Sequence, residues 1–183
     1  MANMRKRFVR VVLVSTLALG CSGDERFGDG QAAIEKAAVN YDGQCVKLYA
    51  EIPSGSFRFL DAYTHHDGDV VTRPVQSGDT QVWCLTRVSG GLAGAGPYDV
   101  YAIQHRSFSG QYLDAYTTND HKAVLRDYQN DKTQRWVVTG NFAPIKQQET
   151  GRFLNVLPTA QDDYRAVTTS APLNWAVWPA PWF

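Results

Sequence analysis

The sequence predicts an all-β fold built from three copies of one four-stranded unit, and three observations predict it. A phrase recurs. It reads Phe59-Leu60-Asp61-Ala62-Tyr63-Thr64 closing with Thr80-Gln81-Val82-Trp83, then Tyr112-Leu113-Asp114-Ala115-Tyr116-Thr117 closing with Thr133-Gln134-Arg135-Trp136, then a weaker Phe153-Leu154-Asn155-Val156 ending at Leu173-Asn174-Trp175. The spacing recurs too, with leucine and tryptophan 23, 23 and 21 residues apart. From about Tyr41 onward no segment shows a convincing 3.6-residue hydrophobic period. Short runs rich in Val, Tyr, Phe and Trp alternate instead with clusters of Gly, Asp, Asn and Pro. A unit repeated every few tens of residues cannot bury its apolar face alone, so three copies imply one shared core.

The chain of 183 residues has room for one ordinary domain. Its 18 basic residues balance its 18 acidic ones, which argues against a nucleic-acid or anionic-membrane surface. Residues 1–21 read as a targeting segment. Arg5-Lys6-Arg7 and Arg10 give a positive start, and Val11 to Gly20 form an uncharged stretch too short to span a bilayer. The ending Leu17-Ala18-Leu19-Gly20-Cys21 resembles a bacterial lipobox, which implies acylation of Cys21 and a lipid anchor; ordinary secretory cleavage near Gly20 or Ser22 is the alternative. Either way the chain is expected to be exported. Residues 22–42, polar with one alanine-rich stretch from Gln31 to Val39, read as a tether to a domain over 43–183.

Within that domain the copies fall at about 43–90, 97–141 and 142–183. Each reads as strand, strand, hairpin turn, strand, loop, strand. Cys45 opens the first copy and Cys84 follows Trp83 at its close, so the two can form a disulfide if those strands are neighbours; two buried free thiols are the other reading. The turn His65-His66-Asp67-Gly68-Asp69 carries an Asp-Gly hairpin signal and corresponds to Thr118-Asn119-Asp120-His121-Lys122 in the second copy. Its two histidines and two aspartates read as a surface turn rather than a metal site. The run Ser89 to Pro97 lacks the spacing of a phosphate-cradling loop and reads as a linker.

Three four-stranded units closing on Gln-x-Trp resemble the β-trefoil of ricin-B-type lectin domains, over most of the chain. The resemblance implies that Gln81, Trp83, Gln134, Trp136 and Trp175 build the shared core, with Leu173 where a third glutamine would stand. It also implies shallow sugar pockets, in which an aspartate accepts hydrogen bonds from paired hydroxyls, an aromatic ring stacks on the sugar, and a polar residue completes the site. Asp61 and Asp114 match the aspartate, and Thr80 and Thr133 the last polar place. The ring position departs from the family pattern, because Arg73 and Arg126 stand there, while Val71 and Val124 replace a polar ligand. Tyr63 and Tyr116 are candidates to supply the lost ring. Each group also has a structural reading: the aspartates as braces of their own hairpins, the arginines as ion pairs, the tyrosines as packing. The third copy, with Asn155, is the weakest pocket.

No GxSxG elbow or HExxH motif marks a nucleophile or a hydrolytic metal. The sequence therefore leads to a non-enzymatic, lectin-like lipoprotein of the bacterial cell envelope, expected in the outer membrane, expected to be monomeric and to need no cofactor or metal. Its expected partner is a glycan or polysaccharide, with membrane contact through the lipid anchor alone and no nucleic acid. A protein-interaction or protease-inhibitor module is the alternative.

Overall fold

The structure, a computed structural model, describes residues 40–62, 68–88, 99–118, 120–158 and 163–180. The targeting segment with Cys21, Tyr63, the turn residues His65, His66 and Asp67, and the whole Ser89–Pro97 linker lie outside them. Among the described residues twelve strands follow one another in four-strand sets. The first set is β1 (Gln44–Glu51), β2 (Phe57–Ala62), β3 (Val70–Arg73) and β4 (Trp83–Arg87). The second is β5 (Asp99–His105), β6 (Gln111–Ala115), β7 (Ala123–Asp127) and β8 (Arg135–Val138). The third is β9 (Ala143–Gln147), β10 (Phe153–Pro158), β11 (Tyr164–Thr169) and β12 (Asn174–Pro179). A short 3-10 turn precedes β4 (Asp79–Gln81) and another precedes β8 (Lys132–Gln134).

The first and last strands of each set close a ring. β1 pairs with β4, β4 with β5, β5 with β8, β8 with β9, β9 with β12, and β12 with β1, all antiparallel. Closure leaves no edge in the ring for another chain to extend. The period-2 pattern of β1 shows how sequence selects the inside: Val46, Leu48 and Ala50 are buried while their neighbours are more exposed. Cys45 and Cys84 are register partners across β1 and β4 and form a disulfide.

The second and third strands of each set form the hairpins β2–β3, β6–β7 and β10–β11. Each hairpin touches the other two. Tyr164 and Arg165 of β11 pair with Thr72 and Val71 of β3, Asp69 bridges to Val124, and Lys122 bridges to Val167. Gly68 shows how close these approaches are: its carbonyl accepts the Leu125 N–H at 2.6 Å, its φ is +76°, and a Cβ there would lie 2.8 Å from the Leu125 carbonyl oxygen. Only glycine meets both demands without strain.

The core is the meeting place of the three sets. Trp83, Trp136 and Trp175 are fully buried, as are Leu60, Leu113 and Leu154. Each indole N–H donates to the leucine carbonyl of its own copy: Trp83 to Leu60 at 3.0 Å, Trp136 to Leu113 at 2.9 Å, Trp175 to Leu154 at 3.0 Å. The leucine-to-tryptophan spacing in the sequence is the chain length between the ends of this bond. An indole buries roughly 200 Å², worth about 5 kcal/mol as an upper bound, and its one polar atom needs an acceptor. Here the leucine carbonyl supplies it. The fold also begins before residue 43, inside the stretch read as tether. Tyr41 is buried against the Tyr101 ring, its N–H donates to the Tyr101 hydroxyl at 3.1 Å, and Asp42 accepts from the Arg87 N–H at 2.8 Å.

Candidate functional site

The repeated Gln-x-Trp places its glutamine at the end of a 3-10 turn, with the side chain folded back into the copy. The Gln81 amide donates to the Pro74 carbonyl at 2.8 Å and its oxygen accepts from the Gln76 N–H at 2.8 Å. Gln134 does the same with the Asp127 carbonyl at 2.8 Å and the Gln129 N–H at 2.7 Å. These bonds fix the loop between the third strand and the 3-10 turn, and so the floor on which the aspartates sit.

In the first copy the polar groups find partners within the protein, save one oxygen of Asp61. Asp61 is fully buried on β2, and one of its oxygens accepts from the Gln81 amide at 3.0 Å. Burial pushes its carboxyl above the usual range, against the lowering influence of Gln81, Arg73 and Thr80. Arg73 points to Asp163, donating through two nitrogens at 2.8 and 2.9 Å. Nothing in the local sequence marks that pair, because 90 residues separate its members. Thr80 faces Gln76 at 3.4 Å.

The third copy solves the same problem differently. With Leu173 in the glutamine's place there is no amide to donate, and Asn155 stands where the others have aspartate. Its own amide donates to the Thr169 hydroxyl and the Ala171 carbonyl, both at 2.9 Å, and its oxygen accepts from the Val156 N–H at 2.8 Å. The two departures compensate each other, since asparagine brings the donor that leucine lacks.

In the second copy an ion pair to Arg126 stands where the first has a glutamine donor. Asp114 is fully buried on β6, Gln134 does not reach it, and neither of its carboxylate oxygens accepts a hydrogen bond. The neighbouring Thr133 hydroxyl donates to Asp131 at 2.5 Å. The nearest opposite charge is Arg126, 3.5 Å away, whose side chain is 34% exposed against 1% for Asp114. The Arg126 guanidinium lies over the Tyr116 ring at 4.3 Å from its centroid, so the stacked pair covers the carboxylate. Burial pushes the Asp114 carboxyl up, and the Arg126 charge pulls it back in part. Asp114, Tyr116, Arg126 and Thr133 are thus brought together, and in the first copy Asp61 and Thr80 share a floor while Arg73 is turned to Asp163.

Two hollows open elsewhere on the surface, and neither Asp61 nor Asp114 lines them. One of about 440 Å³ is bounded by Tyr49, Phe57, Phe142 and Leu173. Another of about 400 Å³ is bounded by Arg87, Tyr112, Tyr128, Asn130 and Arg135. Sequence reading missed both, because their walls come from strands distant in the chain.

Solved structures resemble this fold. A Caenorhabditis elegans protein with unknown function superposes with a TM-score of 0.59 at 13% identity, covering 80% of this chain and 98% of that one. The Polyporus squamosus lectin, solved bound to a human-type influenza-binding epitope, gives 0.58 at 17% identity, covering 76% of this chain and 50% of the lectin. The SDF2-like protein from Arabidopsis thaliana gives 0.55 at 12% identity, covering 74% of this chain and 92% of that one. No family model and no curated protein matches the sequence. At these identities the likeness is one of fold: an all-β chain closed into a barrel, of a kind that lectins share.

Proposed function

We propose that this chain is a β-trefoil of the ricin-B type that binds carbohydrate without catalysis, displayed on a bacterial cell envelope by lipid on Cys21. The observation that carries the reading is Asp114, a buried carboxylate with no hydrogen bond to either oxygen. Buried polar groups are ordinarily satisfied, and an unsatisfied one costs about 1–3 kcal/mol. Paired sugar hydroxyls would supply the missing donors once Arg126 swings off Tyr116, and the uncovered Tyr116 ring would receive the sugar face. Arg126 is exposed enough to move. Thr133 completes the set. The three equivalent indole-to-leucine bonds support the trefoil reading, and the lectin among the structural neighbours supports the ligand class. In the first copy Asp61, Tyr63, Arg73 and Thr80 form the lesser site, because Gln81 and Asp163 already engage Asp61 and Arg73.

The test is retention of the full chain, solubilised in detergent, on a glycan array and on immobilised polysaccharides. The parent is expected to be retained on a subset, Asp114→Asn to lose that retention with unchanged circular dichroism, and Asp61→Asn to keep most of it. Retention of Asp114→Asn at the parent's level would refute the assignment. A protein-binding module is the second reading, and it has its own support. Exposed Phe57, Phe142 and Trp178 gather around Tyr49 with ring centroids 5.8, 6.3 and 6.1 Å away, and Phe142 is held at a φ of +56°. A parent retained on no glycan would favour it.

A further inference from the structure

The internal repetition separates what the fold needs from what one copy adds. Trp136 and Leu113 have counterparts in the other copies, but two neighbours of theirs do not. Tyr128, three residues past Leu125, corresponds by strand register to Val75, three past Thr72. Arg135, just before Trp136, corresponds to Val82 and Asn174. A tyrosine and an arginine at positions where the same scaffold accepts valine are not required by the scaffold.

These two residues meet in the hollow of about 400 Å³. The rings of Tyr112 and Tyr128 stand 4.8 Å apart, tilted by 46°, and Tyr128 is 50% exposed. The Tyr128 hydroxyl donates to the Asn130 side-chain oxygen at 2.9 Å, which fixes the ring's attitude. Asn130 sits in the left-handed region at a φ of +53°, a conformation asparagine tolerates and one that recurs at binding sites. Arg87, on the facing wall, is already bound to Asp99 at 2.8 Å and Asn40 at 3.1 Å. Arg135 is not bound in that way. Among the described residues no carboxylate lies within ion-pair distance of it, its Nε is buried with no hydrogen-bond partner, and its other contacts are long ones to Asn130, at 3.3 and 3.5 Å. The hollow therefore has an aromatic wall, a guanidinium fork with donors to spare, and no acidic residue in its lining.

We propose that this hollow is a second binding site, for an acidic saccharide: the sugar ring lies on Tyr128 while its carboxylate or sulfate is held by Arg135. A planar fork suits both anions, because two parallel N–H donors match two oxygens. The site rests on the carbohydrate reading for its ligand class, but it uses none of Asp114, Tyr116, Arg126 and Thr133. The two sites can fail separately.

Affinity electrophoresis of the full chain in gels containing polygalacturonate, dextran sulfate or neutral dextran tests the proposal. Retardation is expected in one or both acidic gels and not in dextran, and the gel that retards identifies the anion. Arg135→Gln and Tyr128→Ala should each weaken retardation about tenfold, and raised salt should weaken it for the parent. Tyr128 is exposed, so its variant keeps the fold even if Arg135→Gln does not; urea midpoints record both. Asp114→Asn should leave retardation unchanged. Four results would each overturn the proposal: no retardation in either acidic gel, equal retardation in dextran, retardation that survives Tyr128→Ala, or loss with Asp114→Asn.

Discussion

Replacing Gln81 by leucine copies into the first copy what the third copy already has, and the consequences can be worked out bond by bond. Gln81→Leu removes a donor to Asp61 at 3.0 Å, a donor to the Pro74 carbonyl at 2.8 Å and an acceptor for the Gln76 N–H at 2.8 Å. The last two groups are only part-buried and water can replace the glutamine, so each loss is worth about 0.5–1 kcal/mol; the fully buried Asp61 oxygen loses about 1–3 kcal/mol. Leucine returns part of this by burying more apolar surface. The net expectation is a loss of about 2–3 kcal/mol. Asp61→Asn alone keeps an oxygen to accept from Gln81 and should change stability by less than about 1 kcal/mol. Combined, the pair recreates the arrangement of Asn155 with Leu173, in which asparagine supplies its own donor. The double variant should therefore be more stable than the sum of the singles predicts, by about 1–1.5 kcal/mol. Urea denaturation of the four chains at pH 7, with the slope checked for constancy, measures this coupling. Additivity to within about 0.5 kcal/mol would show that aspartate and glutamine are not a coupled brace.

Two further outcomes follow from the same contacts. His105 is buried, its Nδ1 accepts from the Phe108 N–H at 3.2 Å, and its Nε2 therefore carries the proton given to the Thr80 carbonyl at 3.0 Å. Burial holds its pKa below the ordinary value, so the unfolded chain binds a proton first as pH falls through about 6.5. Stability is then lost below that pH with a slope approaching about 1.4 kcal/mol per pH unit. The raised carboxyls of Asp61 and Asp114 act with the opposite sign, losing stability as pH rises from the unfolded value towards their folded ones, and they cancel in a comparison with His105→Gln. That variant borrows Gln147, which donates to the Thr133 carbonyl at 2.9 Å, and should abolish the slope between pH 6.5 and 5 in urea midpoints. Reducing Cys45–Cys84, which closes a loop of sequence separation 39, should lower stability by about 4 kcal/mol in a urea titration with and without reductant.

What the sequence made legible was what each copy writes within itself. The leucine-to-tryptophan interval is legible because one bond, the indole N–H to the leucine carbonyl, demands a fixed length of chain in every copy. The cysteine pair is legible because both residues mark the outer strands of one copy. The polar partners are of another kind. Asp163 meets Arg73 because it immediately precedes β11, which pairs with β3, and no pattern of hydrophobicity encodes which carboxylate a surface arginine will find there. The same holds for the burial of Asp61 and Asp114. Alternation along β2 and β6 says which side faces in, but the triangle of hairpins buries the end of each strand on both sides, so that Asp61 and Ala62 are buried in succession.

The three copies act as controls on one another, and this bears on where function resides. At the aspartate position the first copy has a carboxylate with a glutamine donor, and the third has an asparagine that donates for itself. Both are arrangements a stable scaffold would keep for its own sake. Only in the second copy do both oxygens of the buried group lack a donor, although the scaffold plainly accommodates asparagine at the equivalent place. A buried group less well satisfied than its counterparts in the other two copies is the kind that a ligand's donors would complete. Tyr128, just past β7, and Arg135, on β8, depart from the repeat in the same copy, and the Arg135 Nε is left without a hydrogen-bond partner. Such departures, gathered in one of three equivalent units, are what support the proposed binding surface on the second copy, with the first and third as its frame.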